Sequence, residues 1–255
     1  MTRILFSLGA IVAFLSVSAQ EVMTPERLLH LGRVSAVALT TDGQGVVYRV
    51  TTPDVGENTS QSAVYSIPLA GGTPERVLSL EGLIADKSFS PDGKYQISIG
   101  EVKIQKVFGK ESYPDLHRSN VQVYESLNYR HWDEWEDGAY SHLFLRPLSG
   151  DGQPKDIMEG EPFDCPQKPF GGDQDYTWSP DSRYVVYVAK KQSGTRYALS
   201  TNTDLYAYDV VDGTTKNLTE GMMGYDTHPV YSSEGTLAWM SMARDGYESD
   251  KNDIV

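Results

Sequence analysis

Between Tyr129 and Asp137 the chain reads Tyr129-Arg130-His131-Trp132-Asp133-Glu134-Trp135-Glu136-Asp137, aromatic rings interleaved with five charged side chains. A carboxylate beside an apolar wall suits capture of an ammonium group, which loses hydration on binding and needs a charge-assisted partner. This run is the best candidate for substrate contact; packing against an adjoining domain is the competing reading. His117, His131 and His142, with Asp133, are the other candidates for ligation. Their spacing matches no compact metal-ligand pattern, so surface or strand-end histidines account for them and neither metal nor cofactor is expected. The single cysteine, Cys165, sits in Phe163-Asp164-Cys165-Pro166 without a partner at catalytic spacing and reads as an inert thiol. No Gly-x-Ser-x-Gly nucleophile elbow occurs anywhere, so no catalytic residue is assigned. Arg244, Asp245 and Glu248 either face a cleft or form a structural ion-pair network, the structural reading being favoured.

Positioning these residues falls to a repeated device. Phe89-Ser90-Pro91-Asp92-Gly93-Lys94-Tyr95 and Trp178-Ser179-Pro180-Asp181-Ser182-Arg183-Tyr184 share one pattern, and Leu39-Thr40-Thr41-Asp42-Gly43 and Tyr231-Ser232-Ser233-Glu234-Gly235 are weaker copies. Proline presets φ for the first central turn position, aspartate bonds the backbone two residues on, and glycine accepts a positive φ. An alternating apolar run follows each copy, as in Val185-Val186-Tyr187-Val188, which predicts strand, tight turn, strand. Further alternating runs begin at Ala63, His142 and Asp204 and pass through glycine-containing turns into short last strands. Two hairpins per unit make a four-stranded antiparallel sheet, and an interval of about 50 residues is that of a propeller blade.

The expected fold is therefore all-β, a β-propeller of four-stranded antiparallel blades that is incomplete, at about three and a half blades. The blades fall at 34–80, at 86–158 with an insertion at about 109–140, at 175–221, and at 225–255, the last unfinished. Residues 20–33 form an N-terminal segment with a short helix that Thr24 caps and Pro25 begins.

Composition narrows the function. The formal charge of −13 over 255 residues, with lysines scattered, argues against nucleic acid as a partner. Arg3, the apolar run from Ile4 to Val17 and the small residues Val17-Ser18-Ala19 predict a signal peptide at 1–19 and hence export, to the periplasm or beyond, without a stable membrane anchor. With one cysteine no internal disulfide forms, and packing must supply the stability.

The segments between the repeats are more particular. Phe170-Gly171-Gly172-Asp173-Gln174-Asp175-Tyr176, Asn217-Leu218-Thr219-Glu220-Gly221-Met222 and Ser241-Met242-Ala243-Arg244-Asp245-Gly246-Tyr247-Glu248-Ser249-Asp250-Lys251 together resemble the propeller of the prolyl oligopeptidase family of serine peptidases, in its dipeptidyl-peptidase 5 and acylaminoacyl-peptidase branch. The resemblance implies a propeller that gates an α/β-hydrolase domain holding the Ser, Asp and His triad, a domain absent from this chain. It implies peptide substrates and that missing C-terminal domain as partners, in an exported exopeptidase releasing dipeptides or blocked amino acids. By analogy with such exopeptidases, Glu134 or Glu136 would bind the substrate amine with Trp132 and Trp135 beside it. The alternative is a non-catalytic periplasmic propeller of the translocation-protein type, which uses the same turns.

Overall fold

Every copy of the repeated turn is closed by its first hydroxyl. In the computed structural model, which describes residues 23–150 and 152–255, the Ser90 hydroxyl donates to Asp92 (2.8 Å) and accepts the amides of Lys94 and Tyr95 (3.1 and 3.0 Å). Ser179 donates to Asp181 (2.6 Å) and accepts from Tyr184 (2.8 Å). Thr40 donates to Asp42 (2.5 Å) and accepts from Gly45 (2.8 Å), and Ser232 accepts from Thr236 (3.1 Å). A positive φ recurs at the matching position: 68° at Gly43 and Gly93, 61° at Ser182 and 89° at Gly235. Glycine adopts this backbone without steric cost, whereas a serine is strained there. Ser182 uses the position: its hydroxyl accepts the Asp92 amide at 2.9 Å, joining one turn to the next. The expected signal peptide lies outside the described residues.

The chain divides into two units, one ending at Ala85 and the other beginning at Asp86. In the first, α1 (Pro25–His30) starts with proline, and the Thr24 hydroxyl accepts the Arg27 amide at 3.3 Å. It is followed by one antiparallel sheet of β1 (Arg33–Leu39), β2 (Gly45–Asp54), β3 (Thr59–Pro68) and β4 (Glu75–Val77), paired in chain order.

Among the described residues, the second unit holds three larger sheets and one two-stranded hairpin. β5 (Tyr95–Lys103) leads into an excursion carrying α2 (Gly109–Ser112) and a short hairpin of β6 (Arg130–His131) and β7 (Glu134–Trp135). The chain returns as β8 (Ala139–Pro147), paired along the whole of β5, and ends the sheet with β9 (Lys155–Asp156). This blade is three-stranded rather than four-stranded. Its expected first strand shrinks to the bridge Phe89–Gln96, because Asp86 accepts the amides of Ser88 (2.9 Å) and Phe89 (3.2 Å) and turns the chain before it can extend. The next sheet is complete: β10 (Tyr176–Trp178), β11 (Tyr184–Ala189), then α3 (Gly194–Leu199), β12 (Asp204–Asp209) and β13 (Thr215–Asn217). The last contains β14 (Asp226–Tyr231), β15 (Leu237–Ser241) and β16 (Asp253–Ile254).

These sheets stack as propeller blades. Val185, Tyr187 and Ala189 on one face of β11 pack with Leu143, Leu145 and Ile157 of the sheet before. The alternate residues Val186 and Val188, with Leu205 and Ala207, meet Tyr231, Leu237 and Trp239 of the sheet after. A strand whose side chains alternate between two buried faces must be apolar throughout, which is why β11 reads as an unbroken hydrophobic run. Its valines are fully buried, each contributing on the order of 1.5–3 kcal/mol.

Candidate functional site

The excursion from β5 owes its shape to its two ends. Lys103 leaves the sheet and Gly138 re-enters it, the Gly138 carbonyl accepting the amides of both Ile104 and Gln105 at 3.0 Å. Gly138 has φ 84°, and a Cβ there would lie 2.3 Å from the Gln105 carbonyl oxygen, so only glycine closes this neck. Glu111 then folds the far side back: its carboxylate accepts the amides of Phe108 (2.7 Å) and Val107 (2.9 Å), bonds that hold its pKa below the usual range.

The β6–β7 hairpin distributes the suspected site residues to different places. Trp132 sits in its turn at φ 50°, with its ring edge-on to Phe170 and His131, centroids 5.2 Å away in each case. Trp135 stacks with Tyr124 and Tyr129 at 6.1 Å, and the Arg130 guanidinium lies 5.5 Å over it. Glu134 is exposed. Glu136 lies just past the strand, its amide bound to the Tyr129 carbonyl (3.0 Å) and its carbonyl accepting the Tyr124 hydroxyl (2.7 Å). This anchoring turns the Glu136 carboxylate inward, where it is half-buried and accepts from Asn128 at 3.4 Å.

Two adjoining clefts result. The larger, about 1040 Å³, takes in Trp132, Phe170, His131 and His228. The smaller, about 530 Å³, contains Glu136 and Asp164 between the rings of Tyr124, Tyr140, Tyr197 and Phe163. They share Asn128, Gln167, Lys190 and Tyr197. Of the four suspected residues, then, only Glu136 enters the smaller cleft and only Trp132 the larger; Glu134 and Trp135 line neither. The expected pairing of a carboxylate with two tryptophans gives way to a carboxylate among tyrosines, because the hairpin turn and the stack with Tyr124 and Tyr129 draw both indoles away.

Asp164 is the residue that sequence reasoning missed. Its side chain is 14% exposed, accepts the Ser141 amide at 2.8 Å and lies 3.4 Å from Lys168, which is itself 2.8 Å from Glu101. Burial pushes both the Asp164 and the Glu136 carboxyl pKa up, and the charge of Asp164 raises Glu136 further. Two desolvated carboxylates bearing on one another are each favoured by an added cation. Nothing local marks Asp164 in the sequence, since its partner comes from a different excursion.

Glu248, like His131, lines the larger cleft, whereas Asp245, Arg244, His142 and Cys165 are held in structural contacts. Asp245 accepts from the Ser200 hydroxyl (2.7 Å) and the Thr201 amide (2.8 Å), with Arg196 at 3.3 Å, so the run after β15 clasps the turn before β12. Arg244 pairs with Asp250. His142 is fully buried with its ring nitrogens at Asp156 (2.7 Å) and the Glu161 carbonyl (2.8 Å). Cys165 is also fully buried, and burial raises its thiol well above the usual range, away from the reactive thiolate.

No family model matches the chain. Among characterised proteins it is 36% identical, over an alignment of 278 residues, to dipeptidyl-peptidase 5 of Porphyromonas gingivalis, covering 90% of this chain and 40% of that protein. It is 34% identical to dipeptidyl-peptidase 5 of Porphyromonas endodontalis, covering 91% of this chain and again 40% of that protein. The chain therefore spans about 40% of the length of these relatives. Among solved structures it is similar to the acylaminoacyl peptidase of Pyrococcus horikoshii, with a TM-score of 0.47 and 12% identity over 89% of this chain and 38% of that one.

Proposed function

We propose, from the homology of this chain to 40% of dipeptidyl-peptidase 5, that it is the propeller part of an exported serine exopeptidase. Its role is to gate peptide substrates and hold their free amino terminus, while an α/β-hydrolase domain of the whole protein carries out the acyl transfer. Dipeptides are the expected products.

One observation carries the reading of the site: the Glu136 carboxylate lies half-buried beside that of Asp164 in a cleft walled by tyrosines. A substrate ammonium entering there exchanges its hydration for two charge-assisted bonds and relieves the repulsion between the carboxylates. Glu136 is the primary ligand. Asp164, which already has Lys168 nearby, supplies a second oxygen and fixes the direction of approach.

The test uses the full-length enzyme. Removing one partner of a desolvated charge pair costs roughly 2–5 kcal/mol, so Glu136→Gln should lower kcat/KM at least about tenfold for substrates with a free amino terminus. Substrates blocked at the amino terminus should be nearly unaffected. Equal losses for both classes would identify the segment as interdomain packing instead, and no loss would remove Glu136 from the site.

A further inference from the structure

The wall common to the two clefts contains a cation without an acceptor. Lys190 follows β11 and is half-buried, its ammonium 4.1 Å from the centroid of Tyr197. Among the described residues it forms neither a hydrogen bond nor an ion pair, whereas neighbouring Lys191 meets Glu161 at 2.6 Å and Lys168 meets Glu101 at 2.8 Å. The anions that bear on Lys190 are Asp245 and Glu248. Asp245 is engaged by Ser200, Thr201 and Arg196, and burial, which outweighs both charges, pushes the lysine below its usual pKa.

Lys190 does not neutralise the carboxylates of its own cleft. Among the described residues it forms no ion pair with Glu136 or Asp164, although all three line the same space of about 530 Å³. Besides the exposed Glu125 and Lys106, the cleft presents the carboxylates of Glu136 and Asp164, the latter 3.4 Å from Lys168, and the half-buried ammonium of Lys190, which has no ion-pair partner among the described residues. A ligand with an ammonium at one end and a carboxylate at the other complements this pattern; a ligand with one charge satisfies only part of it.

We infer that Lys190 anchors the free carboxylate of a short peptide in the smaller cleft, so that the cleft holds a dipeptide as its zwitterion. The placement of the amine on Glu136 and Asp164 rests on the function proposed above; the anion site at Lys190 does not. A dipeptide is also what the proposed peptidase releases, so the cleft is built to retain its product.

Titration calorimetry on the chain with Ala-Phe, Ala-Phe amide, acetyl-Ala-Phe and acetyl-Ala-Phe amide tests this. Ala-Phe should bind at least about tenfold more tightly than its amide. Lys190→Met should abolish that difference and Lys190→Arg should keep most of it, with melting curves showing that both variants are folded. The inference is overturned if acid and amide bind equally, if the acid-to-amide ratio survives in Lys190→Met, or if none of the four binds. Should Lys190→Met fail to fold, the acid-to-amide ratio in the unaltered chain and in Lys190→Arg still decides. A carboxylate dependence without any effect of acetylation would support the anion site and refute amine binding by Glu136, so the two readings fail separately.

Discussion

At the scale of single residues, environment separates side chains that the sequence makes equivalent. Glu134 and Glu136 lie two apart in one run, yet one is exposed and the other half-buried beside Asp164. Because burial raises the Glu136 and Asp164 pKa values above 4.5 and 3.8, the folded chain binds their protons more tightly than the unfolded chain. Their contribution to stability is therefore fully present below those unfolded values and is lost as pH rises through the folded ones. Asp245 and Asp250 act oppositely: hydrogen bonds from Ser200 and Arg244 hold them low, so their stabilisation disappears as pH falls. Glu136→Gln isolates the first effect. Its melting temperature relative to the unaltered chain should climb as pH goes from about 4 to about 7. A difference that stays constant with pH would mean that Glu136 is not desolvated.

At the scale of elements, the repeated turn is the joint on which the blades depend. Ser90 and Ser179 each accept the amide that starts the following strand, and Ser182 links its turn to Asp92 in the preceding blade. Ser179→Ala should cost about 1 kcal/mol in urea denaturation, as expected for loss of a partly buried hydrogen bond. Ser182 offers a sharper comparison. Alanine there keeps the strained φ of 61° and loses the acceptor, whereas glycine loses the acceptor but removes the strain. Ser182→Gly should therefore destabilise less than Ser182→Ala, and the reverse order would show that φ carries no cost. The turns were legible in advance because proline, aspartate and glycine act locally. The shortened second blade was not, since the turn made by Asp86 competes with sheet pairing and only the folded chain shows which prevails.

At the scale of the whole molecule, the proposed division of labour makes a prediction about this chain. Its 255 residues include no nucleophile elbow, and Cys165 is buried with its thiol held protonated. The chain by itself should show no peptidase activity and should leave a fluorophosphonate serine probe unreacted, as read by intact-mass spectrometry. Stoichiometric labelling of any serine would overturn the assignment of catalysis to another part of the whole protein. An unreacted chain would leave binding and catalysis on separate domains, with the two clefts supplying selection.

The sequence by itself determined the all-β class, the turn positions and the blade-like order of strands, because turn chemistry and side-chain alternation are set by residues a few positions apart. It also marked the aromatic and acidic run around Trp132 and Glu136 as the segment to examine. Tertiary structure decided which members of that run share a cleft. Glu136, Asp164 and Lys190 line one space because β8 pairs along the whole of β5 and stacks against the sheet of β11. The electrostatics of a site depend on burial and on charges brought together by packing, and neither is written in the spacing of residues along the chain.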